Sequence, residues 1–145
     1  LLEAATRAPS AGNTQEWEFV TVRKRQAKEK LAEASFEQAY VAKAPVIIVS
    51  CANLDEIGRA YGKRGRDLFS VQDSALATQN LMLAAHDMGL GTCWIGSFDE
   101  KKVQDILVLP GHVRPLAIVL VGYPESGTRQ LPRKRVSEVV HEEFY

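Results

Sequence analysis

Two uninterrupted apolar runs, Val46-Ile47-Ile48-Val49-Ser50-Cys51 and Pro115-Leu116-Ala117-Ile118-Val119-Leu120-Val121-Gly122-Tyr123, constrain the fold of this chain more than any other feature. A strand with one wet face alternates apolar and polar residues, whereas a strand without that alternation is covered on both faces. The chain therefore predicts a sheet with helices packed on both sides, a mixed layer architecture. Trp17-Glu18-Phe19-Val20-Thr21-Val22-Arg23 does alternate and is rich in aromatic and β-branched residues, so it predicts a half-buried strand. Thr92 to Ile95 predicts a short fourth strand.

The segments between these strands read mainly as helices. Gln26 to Val41 predicts a surface helix broken near Ser35, and Ala44-Pro45 halts it because proline lacks an amide donor. Ser70 to Met88 predicts a long core helix that Gly89-Leu90-Gly91 terminates. The apolar character of its Ala75–Met88 portion extends round the helix beyond what one sheet face can cover, which predicts a second copy of the chain against it. Asp99 is an expected N-cap for a helix that Pro110-Gly111 ends. Asn53 to Asp67, with three glycines and mixed charge, predicts a loop or flap. The tail after Tyr123 is polar and basic, a strap ending in a short helix.

With 145 residues and 46% hydrophobic content, the chain predicts one domain over residues 1–145. Its 18 lysines and arginines balance 18 aspartates and glutamates, so no global field draws it to nucleic acid. No apolar run approaches the roughly 18 residues that span a bilayer, and the start shows no signal peptide, so a soluble, cytoplasmic protein is expected. Leu1 stands inside a helix-like run with no capping residue before it, which predicts an N-terminal segment ahead of this sequence. Cys51 and Cys93 share no CxxC spacing and both sit in apolar runs, so both are expected to be buried, reduced thiols rather than metal ligands. His86, His112 and His141 lack an acidic partner at fixed spacing, and dinucleotide, P-loop, zinc-protease and serine-hydrolase motifs are missing.

Three connectors at the ends of apolar elements remain as candidates for chemistry: PSAGNTQ, WIGSF and LPRKR. Ser10, Asn13 and Gln15 donate and accept hydrogen bonds without net charge, which suits the edge of a planar heterocycle. Gly96 lets backbone approach a flat ligand. Arg133 and Lys134 suit a phosphate. Ordinary turn chemistry, a strand end and a solvated tail account for the same three compositions.

Taken in order, RAPSAGNTQEWEFVTVR, YVAKAPVIIVSCA, QDSALATQNLMLAAHDMGLGTCWIGSF, LPGHVRPLAIVLVGYP and PRKRVSEVVHEE resemble the nitroreductase family of FMN-dependent oxidoreductases over nearly the whole chain. The resemblance implies an α+β fold, a three-layer α/β/α sandwich with a mostly antiparallel central sheet, and an intertwined homodimer with FMN at the interface. It further implies a ping-pong reaction in which NADH or NADPH reduces the flavin and a small-molecule acceptor such as a nitroaromatic or quinone takes the electrons. No side chain need act as acid or base. By position in the motifs, Pro9, Ser10, Asn13 and Gln15 match the loop that contacts the isoalloxazine from the partner subunit. Ile95, Gly96 and Ser97 match the segment whose amides face the flavin N5 region. Arg133, with Lys134 beside it, matches the basic motif reaching the FMN phosphate, and Gln38 in EQAYVAKAP is a further candidate ligand.

Three departures stand out against that resemblance. The family's Arg-x-Ser-x-Arg phosphate clamp would lie upstream of Leu1, and Glu16 stands where a proline usually follows the glutamine. Leu131 also occupies a position that is often basic. Two other readings stay open at this level: a non-catalytic or degenerate flavin-binding dimer module, and a reductive dehalogenase of the same fold.

Overall fold

The computed structural model describes residues 1–125 and 131–145. Its centre is one four-stranded sheet in the order β1-β2-β4-β3, with every neighbouring pair antiparallel. The strands are β1 (Trp17–Val22), β2 (Val46–Asn53), β3 (Gly91–Ile95) and β4 (Val113–Gly122). The two uninterrupted apolar runs are the two inner strands, as their lack of alternation requires.

Side chains alternate between two cores. Val20 and Val22 on β1, Ile47, Val49 and Cys51 on β2, and Ile118 and Leu120 on β4 face one side. There they meet Leu31, Ala32 and Ala34 of α2 (Arg25–Ala34), Val41 of α3 (Tyr40–Lys43) and Val103 of α6 (Glu100–Leu107). Trp17, Ile48, Val119 and Val121 face the other side, against Ala5 of α1 (Leu2–Ala5) and Ala77 and Leu81 of α5 (Ser70–Asp87). The result is the α/β/α sandwich of an α+β protein. Fully buried Leu31, Ile47, Leu81 and Ile118 each stabilise it by about 1.5–3 kcal/mol.

Pro115 tests this assignment, because proline cannot donate to a ladder. It is accommodated at a bulge: Ser50 pairs with Ala117 but Cys51 pairs with Pro115, so Leu116 is the extra residue on β4. The expected break near Ser35 is present, with α2 ending at Ala34 and α3 starting at Tyr40.

Three expectations are corrected. Asn53 to Asp67 is not a loop: Asn53 caps α4 (Leu54–Arg64), its side chain accepting from the amides of Asp55 and Glu56, and a π turn over Gly65–Phe69 leads straight into α5. Glycine content masked a helix whose Ile57 is fully buried. The helix that Asp99 caps stops at Leu107, where Val108 turns into the left-handed region at φ 55°, before Pro110 is reached. Cys51 is buried as expected, but Cys93 is exposed, because β3 is an edge strand. Among the described residues, no helix is long and apolar enough to cross a membrane.

Candidate functional site

The PSAGNTQ connector folds into a tight 3-10 turn over Ala11–Asn13 immediately before β1. Gly12, Asn13 and Gln15 hold φ values of 57°, 58° and 54°, so two non-glycine residues occupy a region that L-residues rarely adopt. Such geometry persists only where surrounding contacts over-determine it. Ser10 Oγ accepts from the Gln15 amide at 3.0 Å, and the Gln15 side chain donates to the Asn13 carbonyl at 3.3 Å. Thr14 Oγ1 reaches both the Ala11 carbonyl and Glu16 Oε2. The Ala11 amide donates to Asp73 Oδ2 at 2.8 Å, fastening the turn to the first turn of α5.

Asn13 and Gln15 point their amides at solvent from this braced turn. Gly12 is required twice over. Its φ is positive, and a Cβ there would collide with the Tyr61 hydroxyl from α4. The helix that replaces the expected flap therefore packs its aromatic hydroxyl against the connector.

At the end of β3, Ile95 is buried whereas Gly96 and Ser97 are exposed. Among the described residues a Cβ on Gly96 would meet the Trp94 ring alone, at 3.4 Å, so the backbone there is open to close approach. Gln38 Nε2 donates to the Ser35 carbonyl at 2.7 Å and to the Ser97 carbonyl at 3.3 Å, while its Oε1 accepts from the Tyr40 hydroxyl. In this conformation Gln38 braces the Ser97 segment. Arg133 and Lys134 lie exposed, and among the described residues the Arg133 guanidinium donates to the Leu131 and Pro132 carbonyls of its own arm.

Sheet register fixes how these groups relate. β1 starts at Trp17, opposite Ala52, which pairs with Arg114 near the start of β4; β3 ends at Ile95, opposite Ile118, running towards that same end. Pro9 to Gln15 and Gly96–Ser97 thus leave the sheet at one end but from opposite edges. Three interstrand steps separate those edges, on the order of 14 Å. One protomer brings Gln38 to Ser97 and does not bring Asn13 to Gly96. An apolar hollow of about 590 Å³, lined by Leu1, Thr21, Val46, Met88 and Tyr123 among others, lies at the opposite end of the sheet and contains none of the candidate residues.

Residues that sequence reasoning missed support the turn from below. Glu16 and Asp73 are buried, at 0% and 6% exposure. The one signal was Glu16 itself, standing where the resemblance led one to expect proline.

The sequence profile described as the Nitroreductase family matches residues 1–45 and 36–123. The chain belongs to the nitroreductase family. It is 37% identical to an NADH dehydrogenase of Thermus thermophilus over 94% of its own length and 81% of that protein's. It is 32% identical to an FMN reductase (NADPH) of Bacillus subtilis, spanning all of this chain but 64% of that protein. Among solved structures, the NADPH:FMN oxidoreductase from Vibrio harveyi complexed with NAD+ superimposes with a TM-score of 0.89 at 28% identity, covering 99% of this nitroreductase-family chain and 66% of the other.

The turn and the β3 end fit a flavin. Exposed neutral amides at Asn13 and Gln15 and open backbone at Gly96 are the donors and acceptors that a flat, carbonyl-rich ring needs. Arg133 and Lys134 have the charge for its phosphate.

Proposed function

We propose that this chain is the core of an FMN-dependent NAD(P)H oxidoreductase that works as a homodimer in the cytoplasm, where nicotinamide donors are available. When bound, FMN supplies hydride acceptance from NADH or NADPH and electron delivery to a small acceptor, a nitroaromatic or quinone, in two successive half-reactions. The protein's part is to hold, orient and polarise. Asn13 and Gln15, with Pro9 and Ser10 shaping their turn, read the ring edge from one copy. The Ile95–Ser97 backbone of the other copy donates where negative charge gathers on reduction. Arg133 and Lys134 hold the phosphate, and Gln38 keeps the Ser97 carbonyl in place.

The observation that carries this reading is the placement of Asn13 and Gly96 at one end but opposite edges of the sheet, which makes a second copy the natural source of the missing half. Exposed apolar side chains along α5 support it: Val71, Leu76, Leu83 and nearby Met88 are exposed at 40–62% in the single chain, apolar surface of the kind that pairing subunits cover. The flavin-binding but non-catalytic alternative has no specific observation in its favour, and the relatives' names as reductases favour the oxidoreductase.

The test is direct. Purified protein given FMN should turn yellow, sediment as a dimer, and bleach under anaerobic NADH or NADPH. A colourless monomer that takes up no FMN overturns the proposal; a yellow protein that no nicotinamide bleaches leaves only the binding module.

A further inference from the structure

Glu16 presents a problem that the proposed chemistry does not use. Buried carboxylates are ordinarily neutralised by a cation or by several donors. Glu16, fully buried, accepts from Thr14 Oγ1 at 2.7 Å on Oε2, and its Oε1 has no partner among the described residues. The group within hydrogen-bonding reach on the α5 side is another carboxyl, that of Asp73. Burial and the facing Asp73 charge raise the Glu16 carboxyl, so a proton held on Glu16 relieves the clash of two buried carboxylates.

The surrounding charges do not offer a substitute. The electrostatic influence on Glu16 comes from Asp73 on α5. Glu18 on β1 is engaged by Asn53 Nδ2 of β2, Arg66 in the π turn lies 3.9 Å from Asp55 of α4, and Tyr61 of α4 abuts Gly12.

We propose that Glu16 and Asp73 are positioning residues, a proton-sharing carboxyl pair that locks the Ser10–Gln15 turn in its flavin-reading shape and makes FMN retention fall as pH rises. The inference rests on the FMN reading above. With the proton on Glu16, its carboxyl donates to Asp73, which also accepts from the Ala11 amide at 2.8 Å. The turn is then pinned on both sides, at Ala11 and at Thr14–Glu16, around the three left-handed residues Gly12, Asn13 and Gln15. Loss of the proton leaves two buried anions side by side, so the Glu16–Asp73 link gives way to repulsion between the two sides that pin the turn.

The direction of the pH effect follows from Glu16. Burial first, and the Asp73 charge in addition, push its carboxyl above its ordinary value, against the opposing pull of the Thr14 hydroxyl and of its own backbone amide. A raised acid favours the pinned state below its ordinary pKa. That preference is lost as pH climbs through the raised value, and is flat beyond it.

FMN dissociation constants measured by fluorescence between pH 5 and 9 test this in the full chain. Wild type should weaken with rising pH, by up to about tenfold for each unit by which the Glu16 pKa is raised in the pinned state. Glu16→Gln keeps a neutral donor and should bind FMN as wild type does at pH 5, with that slope removed. Comparing the two cancels the titration of the FMN phosphate, whose second pKa is about 6. Identical pH profiles overturn the proposal. If Glu16→Gln does not fold, Asp73→Asn takes its place: removing the like charge should move the transition to lower pH, and an unmoved transition overturns the proposal. Amide exchange at Ala11 to Gln15 in protein without FMN separates the two claims. A wild-type to Glu16→Gln exchange ratio that grows with pH supports the carboxyl lock even where FMN fails to bind, and a constant ratio overturns it.

Discussion

The backbone amide of Ala11 donates to the carboxylate of Asp73 across 62 residues of sequence, at 2.8 Å. This single bond joins the connector ahead of β1 to the first turn of the core helix. Ser10 is extended, at φ −140° and ψ 158°, which is the geometry a residue before proline prefers. Ala11→Pro should therefore fit the turn while deleting only the donor. It should cost about 1.5–3 kcal/mol, the range for a hydrogen bond to a charged group. Urea denaturation checks it, and an unchanged midpoint would remove this bond from the account of the turn.

Gly12→Ala combines two penalties, a left-handed φ and a collision with the Tyr61 ring. The backbone part alone should be about 1–2 kcal/mol. Tyr61→Ala in the same chain should recover the collision but not the backbone part. A double mutant as stable as Tyr61→Ala alone would show that the conformation of residue 12 carries no strain.

The two thiols should behave oppositely. Cys51 is buried and its thiol is pushed up from 9.0 to about 12, by burial first and the Glu18 charge second, whereas Cys93 is exposed on the edge strand. A thiol reagent should modify Cys93 in native protein and Cys51 only after unfolding. Because the folded pKa exceeds the unfolded one, the Cys51 contribution is complete below pH 9 and is lost as pH rises towards 12. Cys51→Ala should flatten the alkaline limb of the stability curve.

Arg114 on β4 grips Glu100 of α6 with two bonds of 2.8 Å. Arg114 holds the Glu100 carboxyl below its ordinary value, against the opposing effect of burial. A depressed acid stabilises above its ordinary pKa, and the effect disappears as pH falls through the depressed value. The side chains are 35% and 47% exposed, so solvent screening limits the pair to about 0.5–1 kcal/mol. Glu100→Gln should lose that amount at pH 7 and nothing at pH 2 by thermal melting.

Much of the architecture was legible because it follows from period alone. Unbroken runs marked the inner strands, the 3.6 period marked α5, and Asp99 marked α6. What failed was decided at longer range. Three glycines in Asn53–Asp67 argued against a helix, yet the Asn53 cap and the burial of Ile57 outweighed them. Cys93 sits in an apolar run on a strand whose edge position no local pattern reveals. The candidate turn was legible as a cluster of polar and glycine residues, but its supports, Asp73 and Tyr61, lie dozens of residues downstream. Glu16 registered only as a departure from the family pattern, because its burial is set by elements far along the chain.

The opposite-edge placement of Asn13 and Gly96 has a genetic corollary. If each cofactor cradle borrows one wall from either copy, a chain crippled at Asn13 and a chain crippled at Gly96 are each dead with their own kind. Mixed together they form hybrids in which one cradle inherits both lesions and the other inherits none, so each hybrid regains half of a normal dimer's activity although both parents are inactive.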